Sequence, residues 1–191
     1  MSIILRKNLE KFITIDGKTF DEVLQYFNRR IIKKKQNIME EGDYCSDQYF
    51  VEQGCLRKFF MKENGIEQTT EFALEQWWLT DTFAFERRLP TTFFIQAVEP
   101  TTILHINHDQ REALLKKHPI MERYFRMVYQ RSYAASERRI RYLYEFTREE
   151  LYFHFEAHYP EFVQRIPQYL LASFLGFTPE YLSEIRSKNR S

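Results

Sequence analysis

The spacing of apolar residues divides the chain into a helical beginning, a β-rich middle and a helical end. In the first thirty residues apolar side chains recur at helical intervals, as at Phe20, Val23 and Phe27. From about residue 30 to residue 107, short β-prone runs alternate with turn residues. The pair Asn64-Gly65 between two such runs predicts a β-hairpin. Short strands at this spacing predict a barrel or a sandwich.

After residue 107 the period becomes helical again. A run over residues 120–146 contains neither glycine nor proline and predicts one long helix, which at 1.5 Å per residue would extend about 40 Å. Residues 147–150, TREE, have the composition of a capping box, which predicts a new helix and a domain boundary. The segment YPEFVQRIP that follows this helix is expected to be an extended connector.

These patterns predict an α+β protein of three parts. Residues 1–118 would form N-terminal helices and an antiparallel β-barrel or jelly roll, residues 119–146 a dimerisation helix, and residues 147–191 a terminal helical domain. A near-heptad stripe on the long helix favours packing against a second copy, while docking on its own domain remains the alternative. The stripe consists of Met121, Phe125, Val128, Ser132, Ala135 and Arg139.

Composition narrows the classes of protein. Hydrophobic residues make up 43% and charged residues 29% of the 191, which is typical of a soluble globular protein. No apolar run reaches the roughly 18 residues of a membrane span, and the amino terminus lacks a cleavage-like site. Cys45 and Cys55 do not make a disulfide framework, so a cytoplasmic location is expected. The net charge of +1 gives no general indication of nucleic-acid binding.

The end of the chain predicts a pair of short helices with a tight turn. Residues 170–186, LLASFLGFTPEYLSEIR, place Gly176 at the break, where a positive φ is often required. Thr178 is expected to cap the second helix, with Pro179 at its first position. A helix-turn-helix presents such a second helix to the DNA major groove. A helical hairpin that only packs its own core is the alternative.

Three segments, in this order, carry a resemblance to a known family. They are EEGDYCSDQYFVEQGCLRKFF with Gly42 and Gly54, then FFIQAVEPTTILHINHDQREALLKKHP, then IPQYLLASFLGFTPEYLSEIR. Together they resemble the Crp/Fnr family of bacterial transcription regulators, over nearly the whole chain. The compact, aromatic form is similar to the divergent branch common in Bacteroidetes. The resemblance implies a homodimer with a cyclic-nucleotide-binding-like sensor and a helix-turn-helix that binds double-stranded DNA.

The resemblance also implies which residues contact DNA. The terminal unit would use Gln168, Thr178, Pro179, Glu180, Tyr181, Ser183, Arg186 and Lys188, the last two at phosphates. Pro179 and Glu184 stand where the family often has guanine-reading arginines, and the usual β-hairpin wing is expected to be missing. From Thr147 onward five basic residues face six acidic ones, so binding is expected to be weak and salt-sensitive. A ligand-binding or protein-interaction module that has lost DNA reading is the alternative.

Family members that bind cyclic nucleotides use a glycine-glutamate pair and a later arginine-serine pair. In WWLTDTFAFERRLPTTFFIQA these places fall near residues 78–81 and at Thr91 and Thr92. A threonine cannot neutralise a phosphate, so a degenerate pocket without cyclic AMP binding is expected. An apolar or aromatic effector, or a pocket filled by side chains, both stay open. The candidate pocket residues are Trp77, Trp78, Asp81, Arg87, Arg88, Thr91 and Thr92.

No motif predicts an enzyme. The sequence lacks a glycine-rich phosphate loop, a Gly-x-Ser-x-Gly elbow and a cysteine-histidine constellation. His154 and His158 stand four apart and could pair on a metal, but a solvated helix face is the preferred interpretation. Neither a metal nor a cofactor is predicted. The expected partners are double-stranded DNA and a second copy, without a membrane, while an unknown small-molecule effector stays an open alternative.

Overall fold

The structure, a computed structural model, describes residues 2–188. The predicted charge of Arg190 and any substitute for a wing in residues 189–191 therefore lie outside the described residues. The helices are α1 Ile3–Leu9, α2 Gly17–Leu24, α3 Thr82–Arg87, α4 His108–Lys117, α5 Ile120–Glu145, α6 Arg148–His158, α7 Pro160–Arg165, α8 Gln168–Leu175 and α9 Pro179–Lys188. The strands are β1 Asn28–Ile32, β2 Asn37–Met39, β3 Asp47–Gln53, β4 Leu56–Met61, β5 Glu67–Ala73, β6 Trp78–Leu79, β7 Phe94–Ala97 and β8 Thr101–Asn107.

The chain forms two compact units. The first contains the residues up to Phe60 together with Glu71–Gln130, and the second contains Met61–Thr70 together with the residues from Arg131 onward. The division falls inside α5, and the tip of the β4–β5 hairpin belongs to the second unit. The division at residues 118/119 and 146/147 stays a prediction. Within residues 2–188 no helix combines the length and the apolar character needed to cross a bilayer.

The strands form two four-stranded sheets, which lie in the first unit except for the tip of the β4–β5 hairpin, Met61–Thr70. The first sheet has the order β1-β8-β3-β6 and the second the order β2-β7-β4-β5. The pairs β1–β8, β3–β8, β3–β6, β2–β7 and β4–β7 are antiparallel. The barrel expectation needs correction, because the strands form two separate ladders and not one closed ladder. A jelly-roll-like sandwich results, with Ile32, Val51, Leu56, Ile95 and Ile103 buried between the sheets.

The opposite face of the first sheet is covered by helices. Phe50, Leu104 and Ile106 point to this face and pack against α1, α2 and the beginning of α5. Leu5 and Phe20 are among the helical residues that are fully buried there. The apolar residues at helical spacing in the first thirty positions are therefore the cover of this sheet.

In the second unit the predicted start of α6 is confirmed, whereas the prediction of an extended connector after α6 is wrong. The Thr147 hydroxyl accepts from the Glu150 amide, and Glu150 Oε2 accepts from the Thr147 amide at 2.8 Å, which makes the expected capping box. The expected extended connector is instead the short helix α7. Pro160 occupies its first turn, where no amide donor is needed. The helical turn buries Val163 and the adjoining Ile166, which an extended segment would not place together.

The β4–β5 hairpin at Asn64-Gly65 is also confirmed. Gly65 has φ +78°, its amide donates to the Lys62 carbonyl at 2.8 Å, and the Lys62 amide donates to the Ile66 carbonyl at 2.9 Å. The sequence patterns did not indicate β2, β6 or α3. These elements are short, and their positions depend on pairing or packing with distant strands.

Gly54 is predicted to be the least replaceable glycine of the sandwich. It has φ +98°, and an added Cβ would lie 2.6 Å from Thr101 Oγ1 and 2.7 Å from the Pro100 carbonyl oxygen. Gly54→Ala should therefore lower the free energy of unfolding by about 2–5 kcal/mol, from backbone strain and overpacking together.

Gly42→Ala is the matched control, because Gly42 has φ +90° but open space around an added Cβ. It should cost about 1 kcal/mol from backbone strain alone. Urea denaturation of both variants measures the difference. Equal losses at the two positions would show that the close approach of Gly54 to β8 does not matter.

Candidate functional site

The α8–α9 unit is organised by the turn that joins its helices. α8 ends at Gly176 with φ +80°, and the Phe177 amide donates to the Ala172 carbonyl at 2.8 Å. This is the bonding expected of a glycine-terminated helix. The Thr178 hydroxyl accepts from the Tyr181 amide at 3.2 Å and so begins α9 as expected from the sequence.

The two helices share a small apolar core. Leu171, Ala172 and Leu175 of α8 and Leu182 and Ile185 of α9 are each 5% exposed or less. Ala172 is fully buried, and its small side chain leaves room for a close approach of the second helix. Because α9 buries only the side that carries Leu182 and Ile185, its other side is presented to solvent.

The exposed side of α9 borders an open depression. Among the predicted DNA-contacting residues, Gln168, Pro179, Glu180 and Ser183 come together there. Three further lining residues were not among the predicted DNA contacts, namely Tyr169, Glu184 and Ser187. Glu184 was noted only as standing where the family often has an arginine, and the helical spacing from Ser183 could have indicated Ser187.

Two predicted residues have other contacts. Thr178 is used as the cap of α9, and the half-buried ring of Tyr181 lies 5.7 Å from that of Phe177 and 5.8 Å from the guanidinium of Arg148. These two side chains therefore support α9 more than they extend its exposed face.

The depression carries negative charge. Glu180 and Glu184 line it, and the lining among the described residues contains no lysine or arginine. Lys188 Nζ lies 3.9 Å from Glu149 Oε1, and Arg186 is half-buried outside the lining. The two predicted phosphate contacts thus lie beside the depression and not within it.

Within the second unit, the hairpin tip is bonded to the end of α8. Ser173 Oγ accepts from the Thr69 amide at 2.9 Å and donates to the Glu67 carbonyl at 2.8 Å, and the Gln68 side-chain amide donates to the Ser173 carbonyl. These residues are about a hundred positions apart in the chain, so no local pattern indicates the contact.

The predicted dimer stripe is only partly available to a second copy. Met121 and Phe125 are buried in the core of the first unit, and Val128 packs against that core. Met121, at 0% exposure, has no surface left for a partner. Met121 and Phe125 are therefore already covered within their own chain, whereas Val128 is only half-buried and its place in the seam stays a prediction.

Arg139 is also engaged within its own chain. Its guanidinium donates to the Thr70 carbonyl and, at 2.8 Å, to the Phe174 carbonyl, and it lies 3.9 Å from the centroid of the Phe174 ring. Ser132 and Ala135 remain exposed. In the second half of α5 the exposed large apolar residues form a different stripe, which we call the outer stripe: Tyr133, Ile140, Leu143 and Tyr144. At 100° per residue its centre lies about 100° around the helix from the predicted one.

Two of the candidate pocket residues meet inside the first unit. Asp81 Oδ1 caps α3 by accepting from the Ala84 amide at 3.2 Å, and Asp81 Oδ2 accepts from the Thr91 hydroxyl at 2.8 Å. Both side chains are buried, with 6% and 2% exposure. Each carboxylate oxygen of Asp81 therefore already has a donor from within the protein.

The other candidate pocket residues are dispersed. Trp78 belongs to the core under the helices, where its indole donates to the Tyr124 hydroxyl at 2.8 Å. Trp77 and Thr92 are exposed. Arg88 ends α3 in the left-handed region and lies 2.5 Å from Asp109.

Arg87, the remaining candidate, stacks on the exposed ring of Phe83 at 4.5 Å. Strand alternation and the course of α3 thus send the side chains of these seven residues in different directions, and their assignment to an effector pocket stays a prediction.

Lys58 was not among the site residues predicted from the sequence. Its register partner is Ile95, which points between the sheets, so Lys58 lies on the same inner face. Its ammonium group lies 2.5 Å from Glu71 Oε1, donates to the Thr80 carbonyl at 3.1 Å and lies 5.1 Å from the Phe93 ring centroid. Nearby, burial raises the pKa of the Cys45 thiol, whose sulfur lies 3.3 Å from the Thr80 hydroxyl. A buried cation needs such partners, since it has lost its water.

One network connects α3 to two other helices of the first unit. Arg111 of α4 donates to both Glu86 oxygens of α3, at 2.5 and 3.0 Å, and to the Tyr129 hydroxyl of α5 at 3.0 Å. These bonds lower the pKa of Glu86. The helix α3, which lies within the stretch of candidate pocket residues, is therefore held against α4 and α5.

The histidine pair of α6 is stacked. The rings of His154 and His158 are 4.1 Å apart, and His158 Nδ1 lies 2.8 Å from the His154 carbonyl oxygen. Among the described residues no group of three or more histidine, cysteine, aspartate or glutamate side chains is arranged to hold a metal ion.

Comparisons with known proteins agree with this architecture. Residues 29–118 match the family model of the cyclic nucleotide-binding domain. No curated protein sequence matched the chain.

Solved regulator structures are similar over most of the chain. The catabolite activator protein of Thermus thermophilus is 20% identical over 95% of this chain and 85% of its own, with a TM-score of 0.59. A CooA mutant from Carboxydothermus hydrogenoformans is 18% identical over 88% and 78%, with a TM-score of 0.70. The c-di-GMP responsive global regulator CLP of Xanthomonas campestris is 16% identical over 92% of each chain, with a TM-score of 0.69. At these identities the likeness is one of fold. Residues 29–118 therefore have the fold of a cyclic nucleotide-binding domain, in a chain that is structurally similar to these regulators.

Proposed function

We propose that the chain is a homodimeric DNA-binding transcription regulator of the Crp/Fnr type, with a degenerate effector pocket and no enzymatic activity. The observation that carries the proposal is the outward presentation of α9 on a glycine-turned helix pair, in a chain that also contains a cyclic nucleotide-binding fold and a long helix. Two structures similar to this chain, a catabolite activator protein and a global regulator linked to virulence gene expression, support the same class.

In this proposal α8 and α9 act as a helix-turn-helix. The exposed residues at the start of α9 would face base edges, where the Ser183 hydroxyl can donate or accept and the Glu180 carboxylate can accept from a cytosine amino group. Arg186 and Lys188 would meet phosphates. Because only these two described cations of α9 are available, the phosphate contribution is small and binding is weak and salt-sensitive.

The outer stripe supports the dimer part of the proposal. Tyr133, Ile140 and Tyr144 are 67%, 55% and 89% exposed, although large apolar residues are costly to leave in water. Their spacing of seven and four keeps them on one side of α5. Two copies of α5 would bury these side chains against each other, and the paired α9 helices would then read a two-fold symmetric operator.

The sensor interior supports the degenerate pocket. Asp81 is committed to the α3 amide and to the Thr91 hydroxyl, and Lys58 is committed to Glu71 and to the Thr80 carbonyl. A cyclic nucleotide would have to displace these internal bonds, and neither Thr91 nor Thr92 could neutralise its phosphate.

A protein-interaction module that no longer reads DNA is the second candidate. It is favoured by the depression beside α9, where Glu180 and Glu184 would repel phosphates. A partner with a basic surface would suit this face better than a duplex. Duplex binding separates the two candidates.

Duplex binding is the first prediction of the regulator. The protein should bind a labelled duplex from its own upstream region more tightly than a scrambled duplex, and affinity should fall steeply between about 50 and about 200 mM salt. The double variant Arg186→Ala, Lys188→Ala should lower the affinity for all duplexes alike, by about tenfold or more. It should also make the affinity depend less steeply on salt. Fluorescence polarisation measures both effects.

Lys18→Ala with Lys116→Ala is the matched control, because it removes the same charge from exposed lysines of the first unit. It should leave duplex affinity nearly unchanged. Undiminished binding by the Arg186/Lys188 variant would contradict the proposed phosphate contacts, and no selective binding by the native protein would favour the interaction module.

The outer stripe makes a second prediction. Ile140→Glu should weaken self-association by about 100-fold or more, because it places a charge in the proposed apolar seam. Analytical ultracentrifugation measures the dissociation constant of the dimer. Ala135→Glu adds the same charge on another side of α5 and should leave the dimer intact. The reverse result would restore the seam predicted from the sequence.

The pocket makes a third prediction. About 1 mM cyclic AMP should not raise the melting temperature more than 5′-AMP does, although a ligand at 100 times its Kd would add about 2.7 kcal/mol of stability. Differential scanning calorimetry of the native protein measures the shift. A selective rise with cyclic AMP would show that Asp81 and Thr91 can open to admit the phosphate.

A further inference from the structure

The strand β1 offers an unpaired edge. It lies at the end of the first sheet, with β8 on one side and no other strand of the described chain on the other. Asn28, Arg29, Arg30 and Ile31 are exposed along it. Outward-facing amide and carbonyl groups on such an edge can pair with an added strand.

This edge is surrounded by positive charge. Arg30 on the strand and Lys33, Lys34 and Lys35 in the turn after it are exposed, and none of the four has an ion-pair partner within residues 2–188. Arg29 is the exception on this strand, with Glu52 2.7 Å away. Ile31 is 74% exposed, and by strand alternation its side chain lies on the opposite face of β1 from that of Arg30. We call this group, Arg30, Ile31 and Lys33 to Lys35, the basic edge.

The turn holds the lysines in a defined position. The Lys35 amide donates to the Ala97 carbonyl at 2.8 Å, the Gln36 amide to the Lys33 carbonyl at 3.0 Å, and the Lys33 amide to the Gln36 side chain at 3.0 Å. Lys35 has φ +65°, a conformation that favours glycine or asparagine. A lysine is thus present where the backbone favours a different residue, and it adds a third like charge to its neighbours.

We propose that the basic edge docks an acidic, extended segment of a partner protein, which adds to the first sheet as a strand beside β1. Backbone groups of the segment pair with the free edge of β1. Its carboxylates lie beside Arg30 and the three lysines, and one of its apolar side chains covers Ile31.

The combination of features selects this occupant over two others. A nucleic-acid backbone would use the charge but would leave the strand edge and Ile31 unmatched. A second copy of β1 would bring like charges together, which is how lysines on edge strands prevent self-pairing. An acidic strand alone matches the charge, the backbone edge and the apolar side chain.

The length of β1 sets the size of the docked segment. Its five residues, Asn28–Ile32, cover about 17 Å at roughly 3.3 Å per residue. A segment of about six residues pairs with this length, and further carboxylates at one end reach the lysine turn.

Peptide binding to the full chain tests the proposal. The probe is a fluorescein-labelled, blocked nine-residue peptide of alternating glutamate and valine with two additional aspartates at one end. The native protein should bind it, and the triple variant Lys33→Gln, Lys34→Gln, Lys35→Gln should bind at least about tenfold more weakly in fluorescence polarisation. The matched control Lys7→Gln, Lys18→Gln, Lys116→Gln makes the same charge change at exposed lysines elsewhere and should lose less than about twofold.

A second peptide isolates the strand pairing. N-methylation of alternate residues keeps every charge but blocks backbone pairing, and this peptide should bind at least about tenfold more weakly than the unmodified one. Lys35→Gly should raise the melting temperature, because glycine relieves the backbone strain at this position. The same variant should bind the peptide more weakly, so a loss of binding could not be attributed to a loss of stability.

Three results would overturn the proposal. Equal binding of the N-methylated peptide would reduce the interaction to charge alone, and equal losses in the two triple variants would show that the lysine position does not matter. In the third result the native protein does not bind the peptide and the Lys33–Lys35 variant self-associates. This would show that the lysines only prevent pairing of β1 with a second copy. The experiment contains no operator DNA, so its outcome is independent of the proposed function.

Discussion

The first sheet has two apolar faces, and most of the structure follows from the need to cover both. Along β8 the side chain of Ile103 points between the sheets, whereas Leu104 points to the helices. The second sheet covers one face, and α1, α2 and the beginning of α5 cover the other. Met121 and Phe125 of the long helix belong to this second layer and are buried in it. The exposed apolar side chains of the outer stripe therefore lie further along the helix and on a different side of it.

Residues 29–118 have the fold of a cyclic nucleotide-binding domain, and the buried polar groups of this region bond to each other. Asp81 and Thr91 bond to each other, and the buried Lys58 is neutralised by Glu71. Buried polar groups that have found partners are costly to separate. A ligand placed at Asp81 or Lys58 would therefore have to exchange these bonds for others. Elsewhere in the first unit, the Arg111–Glu86 pair and Tyr129 connect α3 to α5.

The terminal unit and the basic edge divide charge between two parts of the protein. The exposed side of α9 carries Glu180 and Glu184, while Lys33, Lys34 and Lys35 stand together beside β1. The net charge of +1 does not reveal this distribution, because the acidic and basic surfaces cancel in the sum. Each surface would nevertheless attract a partner of opposite charge. Local potential, and not the total, decides which partner each surface selects.

The sequence by itself determined the features that depend on neighbours a few residues away. The Thr147–Glu150 cap, the Gly176 turn, the Thr178 cap and the hairpin at Asn64-Gly65 all require only local backbone geometry. Tertiary structure decided which side of α5 is free, because Arg139 is engaged by a hairpin and by Phe174, which are distant in the chain. It also dispersed the candidate pocket residues and turned Lys58 inward. Periodicity shows that a helix or strand has faces, but only non-local packing determines what each face meets.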